Sequence, residues 1–225
     1  MRLLKVIGAA VVLGTVCVVT VTSTFAEDAA KLIDPDAPTG DKAMDELLAK
    51  EKEARKACKI EICSILRGKT IEGPDVDCQM VQTWPKKTLD EIFGRAHISW
   101  PWSHMHCRTE VKLKRATLVS AMTSPKYEAG FDSQTMTCEL ERGQGTDNFS
   151  FKVSLAPKVT FENGKATMIQ LQWGDIEAPL VAKTVLWSIT GLDNKTGLLS
   201  SQFVGMTNQF VETKCDQVRD ELRLN

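Results

Sequence analysis

Two histidines, a cysteine and two tryptophans crowd into the stretch Trp100 to Cys107 (W-P-W-S-H-M-H-C). His104 and His106 are two apart, and in an extended chain such residues project from the same side. Two imidazoles presented that way can take one metal ion, and with His97 and Met105 close by in sequence the set would suit copper or zinc. Three features oppose this: Arg108 falls on the same side and repels a cation, Met105 points the other way, and Cys107 is expected in a bridge. Trp84 precedes Pro85, and Trp100 and Trp102 flank Pro101. Exposed together, these indoles would form a platform for a sugar or an apolar ligand; packed at strand ends, they would be core and corner residues. Arg108, Lys112, Lys114 and Arg115 form a short basic stripe around Glu110, of a kind that contacts anionic headgroups or forms the wet side of a sheet.

Catalytic patterns are missing. The chain has no G-x-S-x-G elbow, no H-E-x-x-H and no phosphate-cradling glycine loop. Carboxylate pairs such as Asp175 with Glu177 carry no mark of a matched acid and base. No cofactor motif is present, so none is expected. A net charge of -1 lacks the basic excess of a nucleic-acid binder, so no nucleic-acid partner is expected either.

The N-terminus points to export. Arg2 and Lys5 precede a charge-free run rich in Val, Ala and Leu, and Thr24-Phe25-Ala26 places small residues before the acidic pair Glu27 and Asp28. This reads as a signal peptide over residues 1–26. Left uncleaved, a run of about twenty residues could span a bilayer, which would be the chain's one expected membrane contact. Apart from Cys17, the chain has Cys58, Cys63, Cys78, Cys107, Cys138 and Cys215. An even number in an exported chain suggests disulfides, with roughly fifteen possible connectivities. No two are spaced C-x-x-C, which argues against a redox site or a zinc ribbon.

The elements that must position these residues follow from pattern. Residues 27–41 are polar, with two prolines and a glycine, and read as a flexible leader. Lys42 to Leu66 is predicted helical, capped by Asp41 and ended by Gly68. In such a helix Cys58 and Cys63 lie about 7.5 Å apart along the axis on different faces, so each should bond elsewhere. Val76 to Trp84 is a predicted strand, followed by a short helix at Thr88 to Phe93. From Cys107 the chain alternates, with Thr109, Val111 and Leu113 facing a core and Arg108, Glu110, Lys112 and Lys114 facing water, and strand character is expected as far as Met122.

Tyr127, Ala129 and Phe131 are in phase at odd positions, and Met136, Cys138 and Leu140 at even ones, which requires a bulge or a tight turn between them. Phe149 to Leu155 is a strand that Pro157 interrupts. Asn163-Gly164 predicts a hairpin with Glu162 facing Lys165, and Thr167 to Trp173 is the return strand. A helix starts after Pro179, Gly191 to Gly197 is a loop, and Leu199 to Leu222 is an amphipathic helix.

Helix, then antiparallel strands, then helices is the α+β class. The expectation is one domain over residues 42–225: an antiparallel sheet of about five to seven strands, disulfide-stapled, with the terminal helices on one face. One bridge should tie the terminal helices together through Cys215, and another should join Cys78 to Cys107. The function that fits is that of a periplasmic or secreted, non-enzymatic envelope protein binding an apolar ligand or a protein partner. A His-based copper or zinc protein is the first alternative. A hydrolase without a recognisable motif is the second.

Overall fold

The computed structural model of the chain describes residues 36–94, 100–141, 148–196 and 198–222. The signal-peptide segment, most of the leader and His97 lie outside them. Helix α1 (Lys42–Ala54) starts where Asp41 accepts hydrogen bonds from the Ala43 and Met44 amides at 2.9 and 3.2 Å, satisfying two of the donors every helix start leaves open. The described end of the leader is not free. Thr39 donates to Asp45 Oδ1 from its amide and its hydroxyl at 2.7 and 2.8 Å. Those bonds, the amide's first, hold the Asp45 carboxyl below its usual range.

The single helix predicted over Lys42–Leu66 is broken in two. Arg55 ends α1 and opens α2 (Lys56–Gly68), and its guanidinium donates to the Val81 carbonyl at 2.8 Å and to the Asp36 carboxylate. Beyond α2 the chain turns through Gly73, whose φ of 122° only glycine adopts easily and where a Cβ would stand only about 3.0 Å from the Arg115 guanidinium.

Six strands form one sheet: β1 (Val76–Trp84), β2 (Met105–Leu113), β3 (Lys126–Gly130), β4 (Gln134–Leu140), β5 (Phe149–Glu162) and β6 (Lys165–Glu177). The order is β1-β2-β4-β5, all antiparallel; β3 continues β4's line along β5, and β6 covers β5's other side. Gly130 faces Lys158 while Gln134 faces Leu155. The β3–β4 line therefore advances one residue more than β5 does, and this bulge produces the parity flip read in the sequence. Pro157 sits where β5 changes partner from β4 to β3, and its carbonyl accepts the Phe131 amide at 3.0 Å. Only one donor is lost at that gap, so β5 runs on through the proline.

Residues directly opposite share a face. Cys107, Cys138 and Phe151 align on one side of the sheet, with Arg108, Thr137 and Lys152 on the other. The apolar side is covered at one end by α3 (Lys86–Gly94) and the Trp100-Pro101-Trp102 segment, and at the other by α2, α4 (Arg115–Thr123) and the C-terminal helices. Helix α4 replaces the strand expected to run to Met122. Its Leu118, Val119 and Ala121 are buried, and Asp75 Oδ1 caps the Arg115 amide at 2.8 Å from a distant loop. Helix α5 (Leu180–Thr196) likewise continues through the loop expected from Gly191, since one interior glycine costs a helix only about 1 kcal/mol. Helix α6 (Leu198–Gln209) passes into a π-helical turn at Phe210–Lys214, then a 3₁₀ turn and the short α7 (Arg219–Leu222).

Three disulfides join Cys58 to Cys78, Cys63 to Cys215 and Cys107 to Cys138. The terminal helices are tied as expected, and Cys58 and Cys63 each bond elsewhere. The expected Cys78–Cys107 bridge does not form. Cys78 pairs in register with Val111, whereas Cys107 faces Gln82 on one side and Cys138 on the other.

At the β5–β6 hairpin, Asn163 and Gly164 have φ of 51° and 80°, as a type I′ turn requires. Glu162 and Lys165 pair in register, but their charges go to Lys126 and Glu212 instead. Replacing Gly164 with alanine should lower the unfolding free energy by about 1–2 kcal/mol, the cost of a left-handed residue bearing a Cβ. Asn163→Gly should be nearly neutral. Urea unfolding checks both, and an unchanged midpoint for G164A would refute the turn assignment.

Candidate functional site

The helices at the C-terminal end do not close flat onto the sheet. Between them lies a cavity of about 410 Å³, within the range of small-molecule sites. Its sheet wall is Leu155, Val159, Phe161, Ile169 and Leu171, and its roof is Ile62 and Leu66 of α2, Met122 of α4 and Phe203, Met206 and Phe210 from the C-terminal helices. The offset between β3 and β4 and the register shifts of β6 fall along this part of the sheet. Phenylalanine and methionine side chains adapt to an irregular apolar guest.

Polar atoms are few. Gln134 lines the cavity, but its amide is committed to the Lys112 backbone at 3.0 and 3.2 Å and to the Asp132 carbonyl at 2.9 Å. Thr207 adds a hydroxyl-bearing side chain. Among the described residues no Asp, Glu, His, Lys or Arg lines this cavity.

The π-helical turn shapes the roof. Its i to i−5 geometry, with the Cys215 amide on the Phe210 carbonyl at 3.0 Å, widens the helix by one residue and brings Phe210 and Val211 over the cavity. The Val211 carbonyl accepts from Arg67 of α2 at 2.9 Å, and the same guanidinium reaches Asp216 at 2.7 Å. Four residues before Arg67, Cys63 bonds Cys215. One face of α2 thus clamps the turn twice. On the other side Asn208 exchanges two hydrogen bonds with the Ala166 backbone, at 2.8 and 2.9 Å, pinning α6 to the edge of β6.

The residues singled out in the sequence lie elsewhere. Trp100 and Trp102 are both 3% exposed, packed in a chain of rings with Phe93 and Phe149 at centroid distances of 4.8–5.5 Å. Trp84 is half-buried against the same cluster. Trp100 and Trp102 are core, not an exposed platform, and the indole Nε1 of Trp100 makes no hydrogen bond.

His104 and His106 are committed to different carboxylates, Glu141 at 2.9 Å and Glu51 at 3.1 Å. Thr83 Oγ1 donates to Glu51 Oε1 at 2.7 Å and lies 2.8 Å from His106 Nδ1, while Arg108 Nε donates to His106 Nε2 at 3.2 Å. These bonds assign the Nδ1–H tautomer and occupy both ring nitrogens. Hydroxyl, imidazole and carboxylate here resemble a catalytic triad in composition only: Thr83 is fully buried and gives its proton to the carboxylate. Among the described residues, no group of three or more His, Cys, Asp or Glu side chains could hold a metal ion. Of the basic stripe, Arg108 is bound to His106, Lys112 to Glu110, Lys114 to Asp132, and Arg115 to Asp75, Pro74 and Thr70.

No family model, no curated protein and no solved structure matches this chain. Three disulfides in one sheet-and-helix fold are the cysteine usage of chains that mature in an oxidising, non-cytoplasmic environment. Among the described residues no helix is long and apolar enough to cross a membrane.

Proposed function

We propose that this protein is an exported, non-enzymatic binding protein of the periplasm or the extracellular space, and that it holds an apolar ligand between its sheet and its terminal helices. The observation that carries the reading is the cavity of about 410 Å³ with no charged side chain in its wall. A site of that size whose lining is mostly apolar, with Gln134 and Thr207 as its polar members, selects for apolar surface, and binding there is driven by area removed from water. The N-terminal pattern of basic residues, an apolar run and small residues is what supports export.

Fluorescence titration with N-phenylnaphthylamine, a neutral apolar probe, tests this. Saturable binding of one probe per chain is expected, and Thr207→Trp, which puts an indole into the cavity from a half-buried helix position, should weaken it about tenfold or more, roughly 1.4 kcal/mol. Absence of saturable binding, or equal binding by the Thr207→Trp variant, would contradict the reading.

A further inference from the structure

Ile62, Met206 and Phe210 line a second cavity besides the first, a smaller one of about 220 Å³. Met80 of β1 adds to its apolar lining and Gln82 is uncharged, but Lys52, Arg55, Lys59 and Lys214 line it as well and make its rim basic. The carboxylates nearby are already engaged. Asp36 on the same rim is held by Arg55, and Glu221 pairs with Lys56 at 2.9 Å. Lys59 is half-buried among cations, and its ammonium is held below the ordinary lysine range, by burial first and then by the charges of Lys214 and Lys52. An arriving anion would offset the crowding of like charge around Lys59.

We propose that the ligand is a single-chain anionic amphiphile whose carboxylate or phosphate head sits over Lys52 and Lys59 and whose tail passes Ile62, Met206 and Phe210 into the apolar cavity. This rests on the apolar-ligand reading and adds the head group to it. The two cavities meet at those three side chains, and the flexible thioether of Met206 is what swings aside for one elongated molecule to occupy both. The basic rim stands at one end of that path and uncharged walls at the other, which sets the direction of insertion.

Displacement of bound N-phenylnaphthylamine separates the two ideas, using dodecanoate, dodecyl phosphate and the neutral dodecanol. At low salt at least one of the two anions should displace the probe at about tenfold lower concentration than the alcohol does. The advantage should shrink as salt rises, because Lys52 is exposed and Lys59 only half-buried. Lys52→Gln combined with Lys59→Gln should bring the anion to the alcohol's level and leave the alcohol unchanged. Equal displacement by anions and alcohol in the unaltered protein, or an equal loss for both in the double variant, would overturn the head-group assignment while leaving the apolar cavity in place. Displacement by none of the three would overturn it as well. If the probe itself does not bind, both proposals fall together.

Discussion

Replacing Cys63 and Cys215 together by alanine is expected to lower stability by about 3–5 kcal/mol, more than removal of the Cys107–Cys138 bridge. The two residues are 152 apart in sequence, against 31 for Cys107 and Cys138, and closing the longer loop removes more freedom from the unfolded chain. The Cys107–Cys138 bridge lies inside that loop and the Cys58–Cys78 bridge straddles its start, so both shorten it, but the entropy depends only on its logarithm. In the folded state the same bond fixes the π-helical turn on α2, so its loss should also weaken probe binding, which loss of Cys107–Cys138 should not. Urea unfolding of the two double variants checks the order. A Cys63–Cys215 deletion costing less than the Cys107–Cys138 one, with probe binding intact, would show that the turn holds its shape without the clamp.

Truncating Glu51 to alanine is expected to cost about 3–5 kcal/mol. Strand β1 is an edge, and α1 covers it by supplying partners rather than another strand. Glu51 Oε2 accepts the Thr83 amide and Oε1 the Thr83 hydroxyl, both at 2.7 Å, while Arg55 donates to the Val81 carbonyl at 2.8 Å. Glu51 and Arg55 are 5% and 7% exposed. Removing the carboxylate strands a buried amide and leaves a buried guanidinium with less of its counter-charge, the costly half of breaking a buried pair. Glu51→Met together with Arg55→Met should therefore cost less than Glu51→Ala alone. Thermal or urea unfolding of the single and double variants measures this, and strict additivity of the single effects would mean that the two charges are not coupled.

The parts of the fold legible in the sequence were those set by local pattern. The alternation from Cys107 to Leu113 became β2, Phe149 to Leu155 became the first half of β5, and Asn163-Gly164 became the hairpin. The parts that were not legible depend on distant partners. Nothing local to Arg115–Thr123 marks it as a helix rather than a strand; the Asp75 cap and the α2 packing decide it. The one-residue interruption at Arg55, whose partners Val81 and Asp36 are distant in sequence, has no local mark in the pattern either.

The bridges divide the same way. A bridge between the terminal helices through Cys215 followed from placing cysteines in both, but that Cys63 rather than Cys58 makes it did not. The Cys78–Cys107 error came from a register that pattern alone does not set, since Cys78 falls opposite Val111. The site was the least legible part, because its walls come from Ile62, Leu155 and Phe210, which are far apart in the chain and individually ordinary core residues. The tryptophans and histidines that stand out by type serve instead as core and as polar fastening of an edge strand.

Methyl resonances of the methionines test the central claim most directly. Met122 and Met206 line the apolar cavity, whereas Met105 and Met136 pack against the tryptophan cluster at the other end of the sheet. With ¹³C-methyl-methionine labelling and titration with N-phenylnaphthylamine, the Met122 and Met206 signals should shift and saturate together while Met105 and Met136 stay in place. Saturating shifts confined to Met105 and Met136, or no methionine shift at full probe occupancy, would place the bound molecule outside the cavity and contradict the account.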